Sequence, residues 1–378
     1  MEAMHTLEFT LEITDRGSVF CPEQEGATFP FLCILPGGRW LCAFRLAPKK
    51  ESCVGQRVLL TWSDNEGATW APPRSPWTPP DVAGRVGNFR IAACTALGGD
   101  EVVAVLAWVD QSRPEREFFD PTTNSLLDMR MFLSRSKDGG KTWSPPQPLN
   151  SAPLVDSTPI TGPLLVLPDG TWVCQYETNK PYDTLGEWVH KSCFIFSEDE
   201  GRTWRDPVAI TNSTGGVFLW DQRPGLMPDG SVLDFFWTFD DNAKRYLNIH
   251  ASRSDDGGHT WSATQDTGVP GQPAQPITFG DGLLAMVYVD RTGPPQIKAR
   301  LSADGGMLWE NEVVLAASAP VSQTRNKKGM GEAWDEMAAF SLGLPCTASC
   351  ANGDIAVVYY SGCDADHTAI EWVRLSSR

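Results

Sequence analysis

The chain is short of positive charge: 31 Lys and Arg stand against 47 Asp and Glu, a formal charge of −16 over 378 residues. That balance opposes the phosphate neutralisation on which nucleic-acid affinity rests, and no polybasic segment is present for an anionic membrane. Neither partner is expected. Long apolar runs are missing too, none reaching the roughly 20 residues of a membrane span. The opening Met1-Glu2-Ala3-Met4-His5-Thr6-Leu7-Glu8 places acids where an export signal needs a basic and then an apolar stretch. A soluble, cytoplasmic protein is the expectation. Histidine is scarce: His5, His190, His250, His259 and His367 show no i, i+4 spacing, and Cys346 and Cys350 have no second pair. No transition-metal site is expected from this ligand supply. A Gly-rich phosphate loop and the G-x-S-x-G elbow are both absent, which removes support for nucleotide cofactors and a Ser hydrolase. No cofactor is expected.

What is present is globular composition, 41% hydrophobic, with Gly 34 and Pro 29 spread along the whole length. A single core rarely grows beyond about 250–300 residues, so a chain of this size divides or repeats. It repeats. The octapeptide S-x-D-x-G-x-T-W starts at Ser63, Ser136, Ser197, Ser254 and Ser302, at intervals of 73, 61, 57 and 48 residues. Each interval accommodates a four-stranded sheet. The box places a small acceptor in a tight turn, Gly supplies positive φ and Trp packs between sheets. Its acids, Asp138, Asp199, Asp256 and Asp304, therefore read as structural, with Asn65 and Leu308 as tolerated departures.

A second repeat lies between the boxes, a Gly turn flanked by apolar strands, at 36–38, 98–100, 168–170, 228–230, 280–282 and 352–354. Six hairpins against five boxes leave the last unit one strand short. The alternating segment Leu7-Glu8-Phe9-Thr10-Leu11-Glu12-Ile13 is placed to supply it, which would close a ring and protect its edges. The expected fold is all-β: one six-bladed β-propeller domain over 1–378, with blades at about 28–80, 85–150, 156–211, 217–268, 272–316 and 337–375 plus 7–13. Ten cysteines, several inside apolar strands, suit buried packing in a reducing compartment. If the first hairpin turns at Gly37-Gly38, Cys33 faces Cys42, and a cross-strand disulfide becomes conceivable.

The boxes resemble the Asp boxes of the sialidase (neuraminidase) superfamily, BNR-repeat propellers of six blades, and the resemblance covers nearly the whole chain. It implies a glycan substrate bound where the loops entering the inner strands meet those joining second to third strands. It also implies three arginines around a substrate carboxylate, a Tyr nucleophile paired with a Glu, and an Asp acid. The first arginine normally stands in a Phe/Tyr-Arg-Ile-Pro motif. Here Ala27-Thr28-Phe29-Pro30-Phe31-Leu32 matches at Pro30 and Leu32, but Thr28 holds the arginine position, which argues against sialic-acid specificity. By the same resemblance Arg223 and Arg291 stand for the other two arginines, and Tyr359 or Tyr360 for the nucleophile.

Read from the residues alone, glycosidic cleavage needs two carboxyl groups, one protonated and one ionised. Asp110, Glu177, Asp221 and Asp240 stand in the converging loops and are the candidate carboxylates, beside Tyr359 and Tyr360. Arg90, Gln222, Arg223, Gln272 and Arg291 are candidates for holding the sugar, and Trp220 and Trp334 for stacking on it, as is Trp237. An exo-acting glycoside hydrolase removing a terminal sugar is the leading expectation. A non-catalytic carbohydrate-binding propeller is the alternative, followed by a polysaccharide lyase using Tyr and His367. The sugar, the linkage and the oligomeric state are not legible.

Overall fold

The computed structural model describes residues 9–120, 122–149, 158–186, 188–205, 207–211, 213–214, 216–318 and 326–378. Its strands form six antiparallel blade sheets and one small two-stranded ribbon. The inner strands are Gly26–Ile34, Gly87–Gly98, Leu165–Val166, Val217–Leu226, the split pair Gln272–Pro273 and Ile277–Thr278, and Leu342–Ser349. Each pairs with the next strand of its own blade, and the first blade packs against both the second and the sixth, so the ring is closed. Apolar side chains on the two faces of each sheet fill the spaces between blades, which is why strands such as Val102–Val109 are buried throughout. This is the expected six-bladed, all-β propeller.

The closure uses the expected device at a shifted position. Leu11–Phe20 pairs antiparallel with Thr368–Ser377, from Leu11 opposite Ser377 to Phe20 opposite Ile370. The alternation seen in the sequence ends at Ile13, yet the ladder continues through Asp15 and Arg16, with irregularities after Ile13 and Ser18. An outer strand is held by backbone hydrogen bonds and needs no apolar residue at every second place. Leu7 and Glu8, and Asp156 at the start of the third blade, lie outside the described residues.

The Cys33–Cys42 pairing is corrected. Ile34 stands opposite Trp40, so the register sets Cys33 against Leu41 and Leu32 against Cys42. The five-residue turn shifts the pairing by one position, and a one-residue slip in a strand reverses the face. Cys33 packs between the first and second blades, Cys42 between the first and sixth. Both are free thiols.

Each box closes on itself. In the second, Ser136 Oγ donates to Asp138 Oδ1 and accepts the Gly140 N–H at 2.9 Å, while Asp138 accepts the Thr142 N–H at 2.8 Å and its hydroxyl at 2.6 Å. The same bonds recur around Asp199 and Asp256. Thr hydroxyl and N–H donors hold these three carboxyls at about 2. They are saturated acceptors.

At the other end of the ring, four inner strands break register at one level: between Thr28 and Phe31, Phe89 and Ile91, Trp220 and Arg223, and Gly343 and Cys346. Three non-glycine residues there, Phe29 (φ 54), Asp221 (φ 51) and Leu344 (φ 45), take the left-handed conformation. Such a bulge re-aims side chains, and residues in that region persist only where their surroundings over-determine them. Here the bulges turn side chains toward the axis.

Candidate active site

The bulges open onto a cavity of about 230 Å³ lined, among others, by Phe29, Arg90, Glu177, Asp221, Arg223, Gln272 and Tyr360. Its polar wall is one connected chain. Arg291 donates to Leu342 O at 2.8 Å and to Gln272 Oε1 at 2.9 Å. The Gln272 amide then donates to Asp221 Oδ2 at 2.6 Å, Arg223 Nη2 lies 2.7 Å from Asp221 Oδ1, and Arg223 Nη1 bonds the Thr161 carbonyl. One step along the bulge, the Gln222 N–H donates to Glu177 Oε1 at 3.1 Å. Two carboxylates from different blades are thereby locked at one place. Behind Glu177, the buried His190 puts Nε2 3.5 Å from Oε2.

The electrostatics separate the groups. Burial pushes the Asp221 carboxyl above its ordinary range, against the pull of Arg223 beside it. The Tyr360 hydroxyl is pushed up to about 12 by burial, with Arg291 opposing. Arg291 itself is buried over the Phe340 ring, 3.7 Å from its centre, and burial lowers it. Arg90 stacks 4.0 Å from the centre of Phe118 and donates to Gln56 Oε1. Arg45, across the ladder from Thr28, also donates to Gln56, and burial brings it down to about 9. Thr28 thus occupies the motif position while buried arginines come from the neighbouring strands.

The second wall is aromatic. Trp188, Trp220, Trp237, Trp334 and Phe340 form one cluster, with Trp334 stacked on Phe119 at 4.4 Å. Trp334 belongs to the helix Met330–Ala339, inserted between the fifth and sixth blades. Lys50 fastens that helix by donating to the carbonyls of Met337 and Phe340, both at 2.6 Å, the usual place for a cation at a helix C-terminus.

Of the sequence candidates, Glu177, Asp221, Tyr360, Arg90, Trp220, Arg223, Trp237, Gln272 and Trp334 line the cavity. Arg291 stands one bond behind them, and Gln222 is a fully buried strut whose amide donates to the Tyr176 carbonyl. Three candidates lie elsewhere. Asp110 is ion-paired to Arg85 at 3.0 Å and Asp240 accepts the N–H groups of Asn242 and Ala243 in a turn. Tyr359 packs between the fifth and sixth blades, because adjacent strand residues point to opposite faces. His367 is exposed and hydrogen-bonded to Asp364, away from the cavity, which removes the histidine on which the lyase reading relied. Sequence reasoning missed His190 as a carboxylate neighbour, and Phe29, Phe118, Phe119 and Trp188. The only signal was the aromatic density around Phe118-Phe119 and Trp188.

Residues 118–357 match the BNR repeat-like domain family. A sialidase from Micromonospora viridifaciens is 25% identical over 261 residues, 60% of this chain and 36% of that protein, so the chain spans about a third of the curated relative it matches. Among solved structures, a protein of unknown function from Dyadobacter fermentans aligns with TM-score 0.73 at 20% identity, covering 97% of this chain and 99% of that one. The intramolecular trans-sialidase of Ruminococcus gnavus aligns with TM-score 0.60 at 15% identity, covering 93% and 95%. Among the described residues no helix is long and apolar enough to cross a membrane, and no three His, Cys, Asp or Glu side chains converge as metal ligands would.

Proposed function

Starting from a chain that belongs to the BNR repeat-like domain family and is built as a sialidase-like propeller, we propose that it is an exo-acting glycoside hydrolase that removes a terminal sugar from a glycan. One observation carries this reading: two carboxyl groups, Asp221 and Glu177, are fixed beside one cavity, and the first is raised by burial. Unequal environments give paired carboxyls unequal roles. Asp221 gives its proton to the glycosidic oxygen as the bond to the anomeric carbon breaks. Water takes the leaving group's place on that carbon, and Glu177, held by the Gln222 N–H with His190 behind it, accepts the proton that the water loses. The Tyr360 hydroxyl lies beside Arg291, which suits a hydrogen-bond donor to the sugar more than a nucleophile. Arg223 and Arg90 hold the sugar's acidic or hydroxyl-rich side.

The test is a panel of aryl glycosides, sialosides included, offered to the purified chain. Release of one sugar is expected, with kcat/KM falling about 10²-fold or more in Asp221→Asn and in Glu177→Gln, the scale of lost acid–base catalysis. The wild-type rate should follow a bell-shaped pH profile. Binding of a sugar by calorimetry with no release at any pH would instead establish the carbohydrate-binding propeller.

A further inference from the structure

The cavity has more apolar wall than a sugar uses. Of its 28 lining residues, ten are aromatic, nine aliphatic and nine polar or charged. A pyranose offers one or two faces for stacking and a rim of hydroxyls that demand partners, whereas about two thirds of this lining is apolar. Much of it is one continuous cluster that includes Trp188, Trp220, Trp237 and Trp334, with Trp188 and Trp220 stacked at 6.2 Å. Met337 adds an unbranched, adaptable side chain to that wall from the inserted helix.

The charge is also lopsided. At the lining, Lys50, Arg90 and Arg223 oppose Glu51, Glu177 and Asp221. Immediately behind, among the described residues, Arg291 and Arg45 bond to uncharged groups: Gln272, the Leu342 carbonyl and the Tyr360 hydroxyl for the first, Gln56 and the carbonyls of Lys49 and Ser52 for the second. Two buried guanidinium groups with no carboxylate bonded to them among the described residues leave the surroundings of the polar chain positive.

Resting on the hydrolase reading, we infer that the substrate is an amphipathic glycoside: an acidic sugar seated against the arginines, carrying an alkyl or aryl group of several carbons that lies along the Trp334–Met337 wall. Burying methylenes there supplies the selectivity that the sugar alone lacks.

The experiment is calorimetry on the full chain with matched methyl and octyl glycosides of N-acetylneuraminic acid and of glucuronic acid, kept below micellar concentrations. Methyl and octyl alcohols leave equally well, so chemistry does not bias the pair. The octyl member of at least one pair should bind tenfold or more tighter than its methyl partner, and Trp334→Ala should narrow that gap. Met337→Ala, at a half-buried position, should narrow it less and serves if the tryptophan variant does not fold. Equal affinities, no octyl binding at all, or a gap that survives both variants overturns the inference. Product analysis separates the two readings. An octyl advantage without octanol release keeps the amphipathic ligand and removes the hydrolase, while methanol release without an octyl advantage does the opposite.

Discussion

The two ends of this propeller use the same side chain in opposite ways. At the box end, Asp138, Asp199 and Asp256 are half-buried or exposed turn acceptors, saturated by Thr and Ser within four residues, and held at about 2. At the cavity end, Asp221 is raised by burial, and the fully buried Asp234 is pushed well up for the same reason. Local hydrogen bonds hold an acid in its ionised form; burial raises its affinity for a proton. Where an aspartate sits in the repeat therefore says more about its chemistry than that it is an aspartate.

The sharpest way to break that contrast is to disturb the long-range chain without touching a carboxylate. A Cβ added at Gly343 would stand 2.3 Å from Arg291 Nη2 and 3.0 Å from the Tyr360 hydroxyl. Gly343→Ala must therefore push Arg291 off the Leu342 carbonyl and away from Gln272, which in turn holds Asp221. Overpacking of this kind costs about 1–3 kcal/mol of stability, and kcat/KM should fall tenfold or more on whichever glycoside proves to be cleaved. Steady-state kinetics beside urea unfolding would separate the two losses. Unchanged kinetics in a destabilised variant would show that Arg291 does not hold Asp221 in place.

A smaller effect is expected from Asp234, which stands opposite Pro224 in the fourth blade with Arg223 and Glu177 as charged neighbours. Its folded carboxyl titrates above the ordinary value, so between those two pH values the folded state keeps a proton that the unfolded chain has lost. Stability then falls as pH rises through that window, by about 1.4 kcal/mol per unit. Asp234→Asn should flatten this slope and raise the melting temperature at pH 7 relative to wild type, with little change at pH 4. Parallel stability–pH curves for the two proteins would show that burial does not set this carboxyl's proton affinity.

The same contrast explains what was legible in the sequence. A box is written within eight residues because its bonds span two to four positions, so Ser136, Asp138, Gly140 and Thr142 announce their geometry by spacing alone. The hairpin turns are equally local, and together they carried the blade count and the ring closure. The polar chain of the cavity joins residues up to 62 positions apart, as in Glu177 with Gln222 and Thr161 with Arg223. No pattern in one sequence fixes such pairs. Choosing between Tyr359 and Tyr360 required the strand's face, and placing Cys33 and Cys42 required a turn one residue longer than the glycines implied. His190 was invisible because its partner lies on another strand.

The smallest effect tests the inert end. In the first box Asn65 already replaces the aspartate, accepting the Thr69 N–H at 2.9 Å and donating from Nδ2 to the Thr69 hydroxyl at 3.0 Å. An amide therefore reproduces the turn, and Asp138→Asn should change stability at pH 7 by no more than ~0.5 kcal/mol, the scale of an ordinary surface substitution. Acid should reveal the difference. Asp138 is held at about 2 in the folded state against an ordinary 3.8, so whatever it adds is present above that ordinary value and disappears as pH falls toward 2. The gap between wild type and variant in urea unfolding should shrink from pH 5 to pH 3, with glycoside binding unchanged throughout. A large loss at pH 7 would mean that the charge itself, and not the acceptor geometry, holds the box, and the contrast between the two ends would then be one of degree.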